Sequence, residues 1–326
     1  MNIKSDIENL ENYKKYLLVE EAIHEFLKNN EYLKIDLPVM SPALIPESYL
    51  EVFETKFKYL GHMENLYLTP SPELFLKRLL AYGVGDCYYL GKSFRNSDPP
   101  SPLHSFEFTM LEFYKMNADY MDIAEVTLKM LRHINSRVGN KKLNFNRWEK
   151  ITIAQAFEKY SGIKEKQLFD HKLFMEKAKD KGYKTEGFSF EDIWSQIYAQ
   201  EIEPNLGKNG YPTLIYDYPK EFASLAKLNG DGRTTQRFEF YINGVELGDC
   251  YTELTDWKEQ LTRFKEENSK RIKTSKTVHP IDKGIIEALK YGLGRCSGIA
   301  IGVERLAMIF ANTTTIAKLK LINVSS

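Results

Sequence analysis

The chain has 326 residues, 43% hydrophobic and 28% charged, which suits one large or two unequal globular domains and excludes a disordered chain. Lys+Arg and Asp+Glu both number 45, so no bulk field recruits nucleic acid and any polyanionic partner would need a local patch. The start is polar and no apolar run approaches membrane-spanning length. Cys87, Cys250 and Cys296 are too scattered for a disulfide scaffold or a zinc motif, so the expectation is a cytoplasmic protein with buried cysteines.

In chain order, Tyr13 to Asn30 carries Tyr16, Val19, Ile23, Phe26 and Leu27 at helical spacing, and Tyr32 to Pro38 reads as a strand that ends at an edge or interface. Leu66 to Thr69 is a short strand. Ser71-Pro72-Glu73 is a helix start, with Ser71 as N-cap and Pro72 at the first helical position of a helix that runs to Tyr82 and stops at Gly83. Cys87 to Met116 holds two strands joined by a stiff Asp98-Pro99-Pro100-Ser101-Pro102 loop. Residues 117–200 read as a mostly helical insertion, with helical periodicity at Asp122–Ile134 and Ile151–Tyr160 and a lysine-rich stretch from Lys164 to Lys184. Strand patterns resume at Thr213–Tyr216. Hairpin-linked strands with interspersed helices predict an α+β fold with an antiparallel sheet rather than a doubly wound parallel one.

Three segments carry the chemistry. In Gly298 to Gly302, alternate residues Gly298, Ala300 and Gly302 leave a flat shelf on a strand that runs straight into a helix, and Arg305 sits in the first turn, where free N–H groups and the dipole favour an anion. In the strand after the proline loop, Phe108, Met110, Glu112 and Tyr114 share one face, a mixture suited to lining a ligand, and Arg95 ends the preceding strand within reach of a phosphate held there. Asn243-Gly244 closes a two-residue hairpin that pairs Ile242 with Val245 and Tyr241 with Glu246. Glu239 and Glu246 then become diagonal neighbours, a pair that suits Mg²⁺ carrying phosphate oxygens; solvated glutamates on an exposed hairpin are the alternative. On an unbroken strand Glu253 faces away from Glu246, whereas a bulge at Gly248 would bring it back. No serine, cysteine or histidine is set up as a nucleophile. Attack of a carboxylate on the α-phosphate of ATP needs none, because catalysis there is positioning and charge stabilisation.

These segments resemble the catalytic core of class II aminoacyl-tRNA synthetases, nearest to the lysyl type and to its free-standing paralogues, the elongation factor P lysine ligases. Ile35 to Pro38 is similar to motif 1, Phe94–Asn96 through Phe106–Tyr114 to motif 2, and Gly298–Leu306 to motif 3; Ile202–Lys208 and Glu253–Asp256 also resemble the paralogues. The resemblance implies one catalytic domain over 1–326 and a homodimer formed around Pro38. For ATP it implies Arg95 on the α-phosphate, Phe108 on adenine, and Asn96, Ser97, His104, Ser105, Leu247, Gly302 and Arg305 around the nucleotide. It implies Mg²⁺ on Glu239 and Glu246. It implies an amino-acid pocket of Ser71, Pro72, Glu73, Glu112, Tyr114, Asp249, Glu253 and Ala300, with Glu253 and Tyr114 receiving a basic side chain.

Motif 1 falls within the first forty positions, which leaves no room before it for an anticodon-binding barrel, so a tRNA acceptor is not expected. The resemblance implies transfer of (R)-β-lysine or lysine to a lysine of elongation factor P. Three departures stand out: Ser97 where the family has glutamate, Leu103 where a basic residue is usual, and Asp249 where lysyl-type enzymes place an asparagine facing the substrate carboxylate. These keep two alternatives open, a different acceptor (small molecule, carrier protein or tRNA) and a catalytically silent regulatory paralogue.

Overall fold

The computed structural model describes residues 2–96 and 101–325. Its centre is an eight-stranded sheet whose spatial order is Leu33–Lys34, Cys87–Phe94, Glu107–Met116, Cys296–Gly302, Val245–Thr252, Arg237–Ile242, Thr213–Tyr216 and Glu149–Thr152. Every interior pair is antiparallel. Only the two outermost pairs, Leu33–Lys34 on Cys87–Tyr88 and Glu149–Thr152 on Thr213–Tyr216, run parallel. The expected antiparallel α+β architecture is therefore observed, with parallel edges that two short segments supply. A three-stranded sheet (Met40–Ser41, Glu54–Tyr59, His62–Leu68) and a ribbon of Asn2–Ser5 with Ile322–Ser325 lie apart from it.

Strand alternation divides the sheet into two faces. Leu111, Phe113, Phe238, Phe240, Cys250, Ile299 and Ile301 point into a core completed by the helices Leu10–Asn29, Tyr120–Val138 and Val303–Ala311. The Tyr120–Val138 helix starts cleanly because Asp119 accepts from the Met121 and Asp122 backbone N–H groups, and it stops at Gly139 in the left-handed conformation. The sequence groups this helix with the insertion, yet its Ile123, Leu128, Met130 and Leu131 are buried in the main core. Residues 153–206 make a core of their own around Phe157, Phe174, Trp194 and Tyr198, joined to the sheet through Ile215, Tyr218 and Tyr241.

On the opposite face, the helices Glu73–Ala81, Trp257–Lys273 and Lys283–Gly292 cover one end, packing Leu74, Leu80, Phe264 and Ile285 around Tyr89, Tyr114 and Cys296. All three cysteines are buried and free. Among the described residues, no helix is long and apolar enough to cross a membrane.

Candidate functional site

The uncovered part of that second face carries the polar side chains. Register places Glu239 opposite Asp249, Asp249 opposite Ala300, and Ala300 opposite Glu112, a lateral row across four strands. The next row is Arg237, Tyr251, Gly298 and Tyr114. Residues in register across adjacent strands point the same way, so chain segments far apart in sequence meet on one surface.

The hairpin pairs Ile242 with Val245 and Tyr241 with Glu246 as the Asn-Gly turn requires, and then slips: Phe240 faces Gly248, leaving Leu247 unpaired. This bulge does what the sequence reading asked of it. It turns Asp249, Tyr251 and Glu253 onto the face of Glu246. Gly248 suits the position because a Cβ there would meet the Ala300 carbonyl at 2.7 Å. Leu247 itself is 1% exposed in the apolar core, so its side chain cannot touch a nucleotide and only its main chain remains available to one.

At one end of the row Arg305 gathers the phosphate candidates. Its Nε donates to the Leu103 carbonyl at 3.1 Å, Nη1 to the Glu246 carbonyl at 3.2 Å and side chain at 3.4 Å, and Nη2 to His104 Nε2 at 2.7 Å. Because Nε2 accepts, the His104 proton sits on Nδ1, which bonds Ser101 Oγ at 2.9 Å. Gly302 is the N-cap of the Arg305 helix. Glu304 turns the other way and accepts the Thr109 backbone N–H on both oxygens at 2.9 Å, tying that helix to the Phe108 strand. The Arg95 guanidinium lies over the Phe108 ring, 5.3 Å from its centroid, and its Nε is buried without a hydrogen-bond partner among the described residues. Asn96 donates its backbone N–H to the Glu51 carbonyl, and Ser105 lies 3.5 Å from the Lys320 ammonium. Ser97 lies outside the described residues.

In the middle of the row Glu239 is held from both sides: Arg237 donates to one oxygen at 3.0 Å and Tyr241 to the other at 2.6 Å. Burial, then the charge of Glu246, push the Glu239 carboxyl up to about 8. Glu203, at the end of the insertion, is raised to about 7 by burial and by the same Glu246. Two facing carboxylates with hard oxygen donors, one of them buried and destabilised by the other, fit a cation such as Mg²⁺. Among the described residues no group of three or more His, Cys, Asp or Glu could hold a metal unaided, so its remaining ligands would be phosphate oxygens and water. The departure at Asp249 has a local answer. Arg237 grips it in a bidentate pair, Nε to Oδ1 at 2.9 Å and Nη2 to Oδ2 at 3.0 Å, which neutralises the charge that would otherwise repel a substrate carboxylate.

At the other end Ser71, Glu73, Glu112, Tyr114 and Glu253 come together as the sequence expects. Ser71 Oγ donates to Glu112 and accepts the Glu73 backbone N–H at 3.1 Å, but the N-cap is Pro72 rather than the expected Ser71, because the helix begins one residue later, at Glu73. Pro72 is buried at that helix start. Tyr114 Oη lies 3.4 Å from Glu112, Tyr251 donates to Glu73, and Gly298 exists so that the Tyr114 ring can lie across the strand where a Cβ would collide with it. Burial, then the charge of Glu73, push Glu112 up to about 8.

The sequence reading missed Lys77. This buried ammonium pairs with Glu73 at 2.5 Å and Glu253 at 2.5 Å, one helical turn from Glu73 on the same face; Glu-x-x-x-Lys spacing was the available signal. Burial works against its charge, and the two carboxylates outweigh it, raising its pKa. Glu253 therefore already holds one cation. Arg271, 1% exposed, was also missed: it donates to the Glu47 and Leu50 carbonyls at 2.8 and 2.5 Å and to the Thr277 carbonyl at 3.2 Å, clamping the loop whose Glu51 receives Asn96. It lies seven residues after the buried Phe264 on the same face of an amphipathic helix, the one local signal, which its charge masks. Glu47 on that loop shares a small cleft with Leu44, Ile45, Ser71 and Glu73.

A family model for class II tRNA synthetases (D, K and N) matches residues 8–322, nearly the whole chain and every strand of the central sheet. The chain therefore belongs to the class II (D, K and N) tRNA synthetase family.

Proposed function

We propose that the protein activates a basic amino acid with ATP as the aminoacyl-adenylate and passes the acyl group to a protein lysine, that of elongation factor P. The observation that carries the reading is the charge count at the amino-acid end: three buried carboxyl groups, Glu73, Glu112 and Glu253, face one buried ammonium, Lys77. An ammonium-bearing substrate would offset the surplus, whereas a neutral or acidic one would leave the three carboxyls sharing a single cation.

The residues act by placement. The pocket sets the substrate carboxylate beside Ala300 and the neutralised Asp249, facing the α-phosphate that Arg95 would hold. Its oxygen attacks phosphorus, the new P–O bond forms, and the bond to pyrophosphate breaks. Arg305 and His104 would take the charge that accumulates on the departing phosphates. Mg²⁺ on Glu239 and Glu246 would supply further charge neutralisation. In the second half-reaction an acceptor amine attacks the carbonyl carbon, AMP leaves, and an amide forms.

Amino-acid-dependent ATP–pyrophosphate exchange over a panel of amino acids tests the first half. Exchange with lysine or β-lysine and none with leucine or glutamate is the expected result; no exchange with any amino acid overturns it and favours a silent paralogue. Radiolabelled lysine and β-lysine with elongation factor P test the second half. Label that stays as adenylate in the presence of the factor assigns another acceptor.

A further inference from the structure

Three buried phenols connect the helical insertion to Glu239. Tyr198, Tyr218 and Tyr241 are 7, 2 and 1% exposed. Tyr241 donates its only proton to Glu239 Oε2 at 2.6 Å, so its oxygen is free to accept, and Tyr198 donates to it at 3.2 Å. The 2.9 Å contact between Tyr198 and Tyr218 must then have Tyr218 as donor. The chain runs Tyr218 to Tyr198 to Tyr241 to Glu239, each bond polarising the next. Tyr218 has a second role: the Arg237 guanidinium, which holds the other Glu239 oxygen, lies 4.7 Å from its ring centroid. The same three rings thus support both donors that fix the Glu239 carboxylate plane. Tyr198 opens a π-helical turn, Tyr198–Ile202, that follows directly on the helix Phe190–Ile197.

We infer that Tyr198, Tyr218 and Tyr241 are positioning residues for the metal-bearing carboxylate Glu239, so that the insertion forms part of the nucleotide site's support. The inference rests on the metal reading of Glu239 and Glu246. With one oxygen held by Arg237 and the other by Tyr241, the plane of the Glu239 carboxylate is fixed; removal of the Tyr241 hydroxyl releases one anchor, and removal of the Tyr198 hydroxyl leaves that anchor unsupported.

The test is direct Mn²⁺ binding to the full-length protein with a nonhydrolysable ATP analogue, read by electron paramagnetic resonance of free Mn²⁺, alongside thermal denaturation. Tyr241→Phe is expected to weaken Mn²⁺ about tenfold, the low end of the range for partners that orient a ligand, and Tyr198→Phe, one hydrogen bond further away, by a smaller but measurable factor. Wild-type affinity in both variants overturns the inference. If Tyr241→Phe does not fold, Tyr198→Phe and Tyr218→Phe decide: weaker binding supports it, wild-type affinity overturns it. Glu246→Gln separates this from the parent reading. Should wild type bind no Mn²⁺, or Glu246→Gln bind it as well as wild type, the metal assignment fails and this inference with it. Loss in Glu246→Gln with no change in the tyrosine variants defeats the inference alone.

Discussion

Glu112 is the side chain on which a pH experiment reads the pocket most cleanly. It is buried beside Glu73, and among the described residues its hydrogen-bond partners are the neutral Ser71 and Tyr114 hydroxyls, with no ion pair to it. Burial and the Glu73 charge move its carboxyl from the ordinary 4.5 to about 8. Between those values the folded protein binds a proton that the unfolded chain does not, so stability is fullest below about 4.5 and falls as pH rises through 8. At about 1.4 kcal/mol per pH unit, the gap amounts to roughly 4–5 kcal/mol. With an unfolding entropy of about 2.1 cal/mol/K per residue, a chain of 326 residues converts that into about 7 °C of melting temperature.

Glu112→Gln is shaped like the protonated acid and cannot ionise. Its melting temperature should match wild type near pH 5 and exceed it by several degrees near pH 9, measured by circular dichroism without ligand. Saturating lysine should narrow the difference by raising wild type alone, since an ammonium in the pocket stabilises the ionised Glu112 that the variant lacks. Melting curves for the two proteins that stay parallel from pH 5 to 9 would refute both the raised acid and the pocket's demand for a cation.

Arg305→Lys keeps the charge but loses the planar fork that reaches Leu103, Glu246 and His104 together, so pyrophosphate exchange should fall at least about a hundredfold in kcat with circular dichroism unchanged. Gly298→Ala forces the buried Tyr114 ring aside; overpacking of this kind costs about 1–3 kcal/mol, and the KM for the amino acid should rise while that for ATP does not.

Much of this site is legible in the sequence because its parts obey short-range rules. Asn243-Gly244 fixes the hairpin register, period-2 alternation puts Phe108, Glu112 and Tyr114 on one face, and Gly302 to Arg305 marks a helix start. What sequence hid depends on pairing across strands or on distant packing. Glu239 faces Asp249 only because the bulge falls at Leu247, and a single-residue slip of that kind leaves no signature beyond a permissive Gly248. Arg271 reads as a solvated charge in a lysine- and glutamate-rich helix until the Glu47–Glu51 loop is seen to fold onto it. Leu247 marks the converse error. It adjoins Glu246 in sequence and points to the opposite side of the sheet.

Asp249 shows how a departure from the family pattern can be absorbed. An acid where lysyl-type enzymes place a neutral amide adds a charge to a surface that already holds Glu239 and Glu246, and burial raises the Asp249 carboxyl against the pull of Arg237. The arginine that opens the hairpin strand serves Asp249 with two bonds and Glu239 with a third, so one guanidinium holds two carboxylates directly across adjacent strands. The pair is buried, and such a pair contributes little net stability while its half-removal costs about 3–5 kcal/mol. Its value is therefore geometric: it brings an acid close to where a substrate carboxylate would lie without presenting that substrate with a free negative charge, and it fixes Glu239 in the same stroke. The acid at position 249 is compatible with adenylate chemistry because Arg237 occupies both of its oxygens, so this departure does not by itself speak for a silent paralogue.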